Sequence, residues 1–456
     1  MRRHVIIGRF GPGDRASVPK ANGETATRLE FVVSKRRLEH GISNALDDLA
    51  KLGVFPSDIG LDLLVLAAHV HAADTRISRD TESQDSWTRE IRLVVPVSDP
   101  ESWITSTPLV QRLLNFLTGD RWTIGFRTRP AGFKSAVRER PPLLIKPPFN
   151  SLALFSGGLD SLIGAIDLLE EGFTPLFISH AGEGATSDSQ KTLFAALKKY
   201  YSRQSFERLR IWMNFPNALV RSVGSEKTTR GRSFLFFAAG VFAGTGLDGV
   251  FTLRVPENGL IALNVPLDPL RLGALSTRTT HPFYISRWND LLTALGIPGR
   301  IENPYWDKTK GEMVTNCRDR TLLSRLIPSS LSCSSPNKGR WLGRGIEHCG
   351  FCLPCLIRRA AIRKGLSGMS DPTSYTLMDL KANVLDTRQA AGQQVRSLQF
   401  TIQRLRQRPE LATLFIHKSG PLSDESPTRR IALAEVYRRG LDELAVLLTG
   451  VQATPK

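Results

Sequence analysis

Residues 151–172 read SLALFSGGLDSLIGAIDLLEEG, and this stretch decides the fold. Leu152, Ala153, Leu154 and Phe155 make an apolar run short enough for a buried strand. Leu162, Ile163, Ala165, Ile166, Leu168 and Leu169 then keep a helical period up to Gly172, a helix stop. Between the two lies Ser156-Gly157-Gly158-Leu159-Asp160-Ser161. Paired glycines let a backbone pass close to an anion, and the unpaired N–H groups of a first helical turn point at it. Ser156 and Ser161 can add hydroxyl donors. Asp160 is acceptor-only when ionised, which suits Mg²⁺ held between it and a phosphate, or a helix cap. Neither the Walker spacing nor GxGxxG is present in this stretch. Two glycines alone would mark an ordinary turn; with Ser, Asp and Ser around them they read as a nucleotide-phosphate loop.

Strands and helices alternate outward from this loop. Residues 176–179, 209–213 and 249–253 read as strands, and 189–200 and 232–246 as helices. This α/β pattern predicts a doubly wound parallel sheet over residues 151–330, with ligands at the carboxyl ends of the strands. Polar residues fall at three such ends: 156–161, Ser179-His180 and 254–258. His180 either touches ligand or simply ends its strand. Arg232, in the basic group Lys227, Arg230 and Arg232, opens a buried helix on the side of the loop, where its fork of donors suits phosphate. Glu257 and Asn258 offer a carboxylate and an amide for the edge of a purine-like base. Arg278, in STRTTHP at 276–282, is placed to hold a carboxylate or phosphate. Capping and turn chemistry is the plainer use of both stretches. Lys310 stands at a helix start, where a cation opposes the dipole and hints at an anionic partner.

The 456 residues allow two or three domains, and the net charge of +18 favours polyanionic partners: a nucleotide, a nucleic acid or an acidic protein. The charge is dispersed, so no basic tail explains it. The opening MRRHVIIGRF has too short an apolar run for a signal peptide. The longest apolar stretch, 233–246, falls short of the roughly 20 residues that span a bilayer. A cytoplasmic protein without membrane contact is expected.

Residues 1–127 read as an N-terminal α/β accessory domain, with strands at 5–7, 31–33, 63–66 and 91–95 and helices at 42–52 and 108–117. His69 and His71 alternate there onto one strand face, without a third metal ligand nearby. Trp87, Trp103 and Trp122 either pack or line an interaction face. Partner recognition or substrate delivery is the expected role. Residues 128–150, with five prolines, form a linker. Residues 366–456 read as a helical C-terminal region, with Val395, Leu398, Ile402 and Leu405 on one face and Leu433, Val436, Tyr437, Leu444, Leu447 and Leu448 on another.

The five cysteines cluster, which argues against a disulfide framework. Cys333, Cys349, Cys352 and Cys355, within a segment at 331–365, have the spacing of a tetrahedral Zn²⁺ site. Four thiolates leave no open position for water, so the expected role is structural. His348 is a weaker substitute for one ligand. Cys317 is left over, and Arg358, Arg359, Arg363 and Lys364 follow on a helix.

SGGLDS after a strand resembles the pyrophosphate loop of ATP pyrophosphatases. Together with Lys310 in a TKxE-like helix start, Ser332-Cys333 and the terminal CxxCxxC, it resembles the 7-cyano-7-deazaguanine synthase (QueC) family over roughly residues 150–365. The added N-terminal unit, Glu257-Asn258-Gly259 and the RTTHP stretch look most like the QueC-like proteins of bacterial anti-phage defence, such as those of the Qat system. The resemblance implies an ATP-dependent ligase. The carboxylate of 7-carboxy-7-deazaguanine is converted to an acyl-adenylate with release of PPi, and an amine then displaces AMP. It assigns ATP and Mg²⁺ to Ser156, Gly157, Gly158, Asp160, Ser161 and Arg232, catalysis to Asp160 and Lys310, and substrate to Glu257, Asn258 and Arg278. Arg232-Ser233 stands where the family has Arg-Asn, and Glu257-Asn258 replaces an Asp-rich segment, so the product is an amide, a nitrile or a conjugate. The amine comes from ammonia or from a protein partner encoded in a defence operon. A tRNA-modifying ATP pyrophosphatase and a catalytically silent nucleotide-binding scaffold are the alternatives. Asp160→Ala is expected to spare folding and abolish PPi release.

Overall fold

The computed structural model describes residues 3–455 apart from 34–36, 84, 143–145, 183, 222–223, 225, 227, 268–277, 344 and 368–369. Lys227, Ser276 and Thr277 therefore lie outside the described residues.

The first unit comprises β1 (Arg3–Arg9), β2 (Glu24–Glu30), α1 (Ile42–Lys51), α2 (Asp58–Arg76), α3 (Arg79–Glu82), β3 (Glu90–Val97), α4 (Pro100–Thr118) and β4 (Arg121–Thr128). Its four strands run parallel in the order β2-β1-β3-β4. The strand expected at 63–66 is instead the interior of α2, which is buried on all sides from Gly60 to Asp74. Helical and strand periods cannot be told apart over an unbroken apolar run such as 63–68. The consequence reaches His69 and His71: two residues apart on a helix, they point to opposite sides. His69 Nδ1 bonds Val65 O at 2.8 Å, and its ring packs at Gly8, where any Cβ would stand 2.5 Å from Nε2. His71 faces His180 instead. Trp103 and Trp122 are core residues, so no three-tryptophan face exists.

The second unit comprises β5 (Ser151–Leu154), α5 (Leu159–Glu170), β6 (Pro175–His180), α6 (Gly184–Tyr200), β7 (Glu207–Ile211), α7 (Arg232–Gly244), β8 (Phe251–Arg254), α8 (Gly259–Leu263), α9 (Pro282–Ala294) and β9 (Gly299–Glu302). Its strands are all parallel in the order β7-β6-β5-β8-β9. Strand order reverses between β5 and β8, which makes the loop after β5 the topological switch point. β9, only four residues long and mostly polar, carries no strand pattern.

α10 (Lys310–Asn316), α11 (Arg320–Leu326) and α12 (Leu353–Gly365) close over α5 on one sheet face. On the other, α7 and α9 share one hydrophobic core with α2 and the first sheet. The N-terminal unit is thus fused to the second sheet rather than tethered to it. Even the supposed linker begins with an anchor, since buried Arg129 donates to Asp58 at 2.7 Å and pairs with Asp62. The tail holds β10 (Leu385–Asp386), α13 (Ala390–Gln407), α14 (Leu411–Phe415), α15 (Pro427–Leu447) and β11 (Ala453–Thr454). Val395, Leu398, Ile402 and Leu405 of α13 meet Leu433, Val436, Tyr437 and Leu444 of α15 in a core shared with α8 and α12. Among the described residues no helix is long and apolar enough to cross a membrane.

Candidate active site and metal centre

The loop between β5 and α5 turns at Gly157, whose φ of +81° suits glycine. A side chain there would also press on Ser189 and Gln190 at 3.1 Å. Ser189 Oγ donates to Gly157 O at 2.9 Å, and Gln190 Nε2 reaches both Ser156 O and His180 O. Ser156 and Ser161 hydroxyls lie 3.1 Å apart, and Ser161 Oγ donates to Gly158 O. No side chain of the loop caps α5. The cap comes instead from Ser332, whose Oγ accepts from Leu159 N at 3.1 Å.

Asp160, buried in the first turn of α5, gathers three groups. Asn258 donates to Oδ2 through Nδ2 at 2.7 Å and through its backbone N at 3.2 Å. Lys310 Nζ stands 3.2 Å from Oδ1, a charge contact whose angles fall short of a hydrogen bond. That oxygen keeps acceptor capacity, so Asp160 could hold a divalent cation. Lys310 opens α10 behind a capping box formed by Thr309 and Glu312. Glu443 of α15 accepts from Gly311 N at 3.1 Å, from Lys364 Nζ at 2.9 Å and from Thr309 Oγ1. The tail therefore fixes the turn that aims Lys310. Glu257 bonds Thr280 Oγ1, and its backbone is locked to Asn303. Burial pushes its carboxyl up to about 7; the nearby Asp160 charge adds to this, while Thr280 and Lys310 oppose it.

Asn258 is fully buried, and its Oδ1 accepts from Ile261 N at 3.1 Å as the cap of α8. Its amide is occupied at both ends, so it orients Asp160 rather than facing a base. Arg278 is also placed elsewhere than expected. Its guanidinium donates to Phe116 O at 2.7 Å and lies over the Phe116 ring, joining the second unit to α4. Arg232, at the start of α7, lies against Gly182, His180 and Phe236, one strand over from the loop. His180 is buried, and burial with the neighbouring Arg232 charge drives it down to about 3.

The four cysteines converge. All four sulfurs lie within 4.8 Å of one another, with Cys333–Cys352 and Cys349–Cys355 both at 3.9 Å. A tetrahedral Zn–S distance of about 2.3 Å gives edges of about 3.8 Å. Backbone N–H groups of Ser335, Cys349 and Cys352 point at sulfurs at 3.3 Å, as thiolates favour. The cluster could hold a metal ion such as zinc. His348 is no ligand here, because its Nε2 accepts from Ser332 N at 3.1 Å. Arg358 is buried and bonds Ile327 O, Ser330 and Thr373, a structural brace for the same segment.

A cavity of about 450 Å³ flanks α5, lined by Asp167, Tyr305 and Arg318 among others, and holds no residue of the 156–161 loop. Gln190, which bonds the loop, His348, which bonds Ser332, and Glu443, which bonds the Lys310 turn, carry no local motif; each acts from a distant element. No family model matches the chain, and no curated protein does either.

Proposed function

We propose that the chain is an ATP-dependent, adenylate-forming ligase of the 7-cyano-7-deazaguanine synthase type. The observation that carries this reading is the loop 156–161 at the sheet's switch point, with Asp160 and Lys310 3.2 Å apart beside it. The Gly157 N–H, the Gly158 N–H, which donates to Ser156 Oγ at 3.3 Å, and the Ser156 and Ser161 hydroxyls suit a pyrophosphate that takes over these donors. Asp160 would hold Mg²⁺, and Lys310 would balance charge on the reacting phosphate. A carboxylate oxygen of 7-carboxy-7-deazaguanine attacks the α-phosphorus and PPi leaves. An amine nitrogen, from ammonia or a protein of a defence operon, then attacks the acyl carbon; AMP leaves and a proton passes to a base. Glu257, near neutrality in its pKa, suits that last role.

Cys317 speaks against a tRNA-thiolating enzyme. It is buried among Met313, Leu322 and Leu323, with its thiol pushed well up by burial, whereas a sulfur-transfer nucleophile needs the opposite. The test is product analysis. ATP, 7-carboxy-7-deazaguanine and an ammonium salt should yield AMP, PPi and the amide in which NH2 has replaced the carboxyl OH, or the nitrile formed when that amide loses water. ATP left intact with every acid and amine supplied would refute the proposal.

A further inference from the structure

The N-terminal unit holds a buried ionic cluster unrelated to the phosphate loop in sequence. Asp74, in the last turn of α2, has its Oδ1 bonded by Arg79 at 3.2 Å and Arg89 at 3.0 Å. Both arginines also clasp Asp120. A carboxylate in a helix's last turn opposes the dipole, and burial adds desolvation, so the arrangement is costly for stability alone. Its other oxygen leaves the unit: Asp74 Oδ2 accepts from Gly231 N at 2.7 Å. Gly231 is the N-cap of α7 and has no side chain of its own to cap with. Asp74 caps α7 from another helix.

The same unit grips the residues before Gly231. Glu226 accepts from Arg79 N at 2.7 Å and from Thr228 at 2.7 Å. Arg230 stacks on Trp87 at 3.7 Å and donates to Thr118 O at 3.1 Å. The residue after Gly231 is Arg232, at Gly182 and His180, whose carbonyl shares Gln190 with Ser156.

We infer that the N-terminal unit is a positioning device for the anion site: Asp74, through Gly231, sets where Arg232 stands relative to the 156–161 loop. This rests on the nucleotide reading above and assigns Asp74 as a positioning residue, with the triphosphate or its pyrophosphate product as the ligand it serves indirectly.

The test compares Asp74→Asn with Asp62→Asn in the full chain. Asp62 is an equally buried carboxylate of α2, paired to Arg129, but lies 12 positions earlier, about 18 Å along the helix. Both should lower the melting temperature. Only Asp74→Asn should raise the dissociation constant for ATP, by about tenfold, the scale of one charge-assisted contact. Hydrogen exchange at residues 228–232 should quicken in Asp74→Asn alone. Should Asp74→Asn fail to fold, Glu226→Gln, on the gripped segment itself, takes its place with the same expectation. Equal affinities in the two variants overturn this inference alone. A wild-type protein that binds no ATP overturns the nucleotide reading and this inference together.

Discussion

The Ser332 hydroxyl accepts the Leu159 N–H at 3.1 Å, so a residue one position before Cys333 of the cysteine cluster caps the helix that follows the 156–161 loop. Ser332 in turn donates its own N–H to His348, the neighbour of Cys349. The cysteine cluster and the loop are therefore two hydrogen bonds apart, although 173 residues separate Leu159 from Ser332. A structural metal at the cysteines would set the height of Ser332 over the loop.

Ser332→Ala should remove that cap. The expected cost is about 1 kcal/mol of stability, with a matching fall in ATP affinity because the helix N-terminus loses its fixed position. Melting curves and titration with ATP measure the two effects. A variant with unchanged affinity would show that the cap is structural only.

Cys352→Ser, or stripping with a chelator, should release one equivalent of zinc and lower the melting temperature sharply, since metal binding and folding are linked. Metal analysis beside thermal melting decides it. Unchanged metal content and melting would dismiss the zinc centre.

Asp160→Ala cannot be read as a purely catalytic change. It would strand Lys310 and both donors of Asn258 in a buried site, at a cost of about 3 kcal/mol or more. Asp160→Asn retains the volume and one acceptor and is the better probe. It should fold, keep its zinc and lose PPi release.

Glu257 supplies a pH dependence. Its carboxyl sits at about 7 in the fold against an ordinary 4.5. A raised carboxyl binds its proton more tightly in the folded state, so its contribution is complete below about pH 4.5 and is lost as pH rises through about 7. Glu257→Gln, neutral throughout, should gain on wild type across that window by about 1–3 kcal/mol. Paired melting curves from about pH 5 to 8 check this, and parallel curves would refute it.

Much of the second sheet was legible because its signals are local. The 151–172 stretch carries strand, glycine turn and helical period side by side, and the cysteine spacing names its own chemistry. α2 was not legible: LDLLVLAAHVHAAD is buried all round, and its LLVLAA run fits a strand as well as a helix between two layers. Arg278 and Asn258 were misplaced for a related reason. Polar residues in a loop look alike in sequence, and only the fold shows that one clamps Phe116 while the other orients Asp160. Ser332, Gln190 and Glu443 act on the loop and on Lys310 from across the chain, where no spacing could announce them.

The central claim is that the 156–161 loop receives the phosphates of ATP and that an acid is activated there. Zinc-replete protein incubated with radiolabelled pyrophosphate, ATP and 7-carboxy-7-deazaguanine should return label to ATP, and Asp160→Asn should not. Absence of exchange with wild type, alongside no measurable affinity for ATP, would contradict the account.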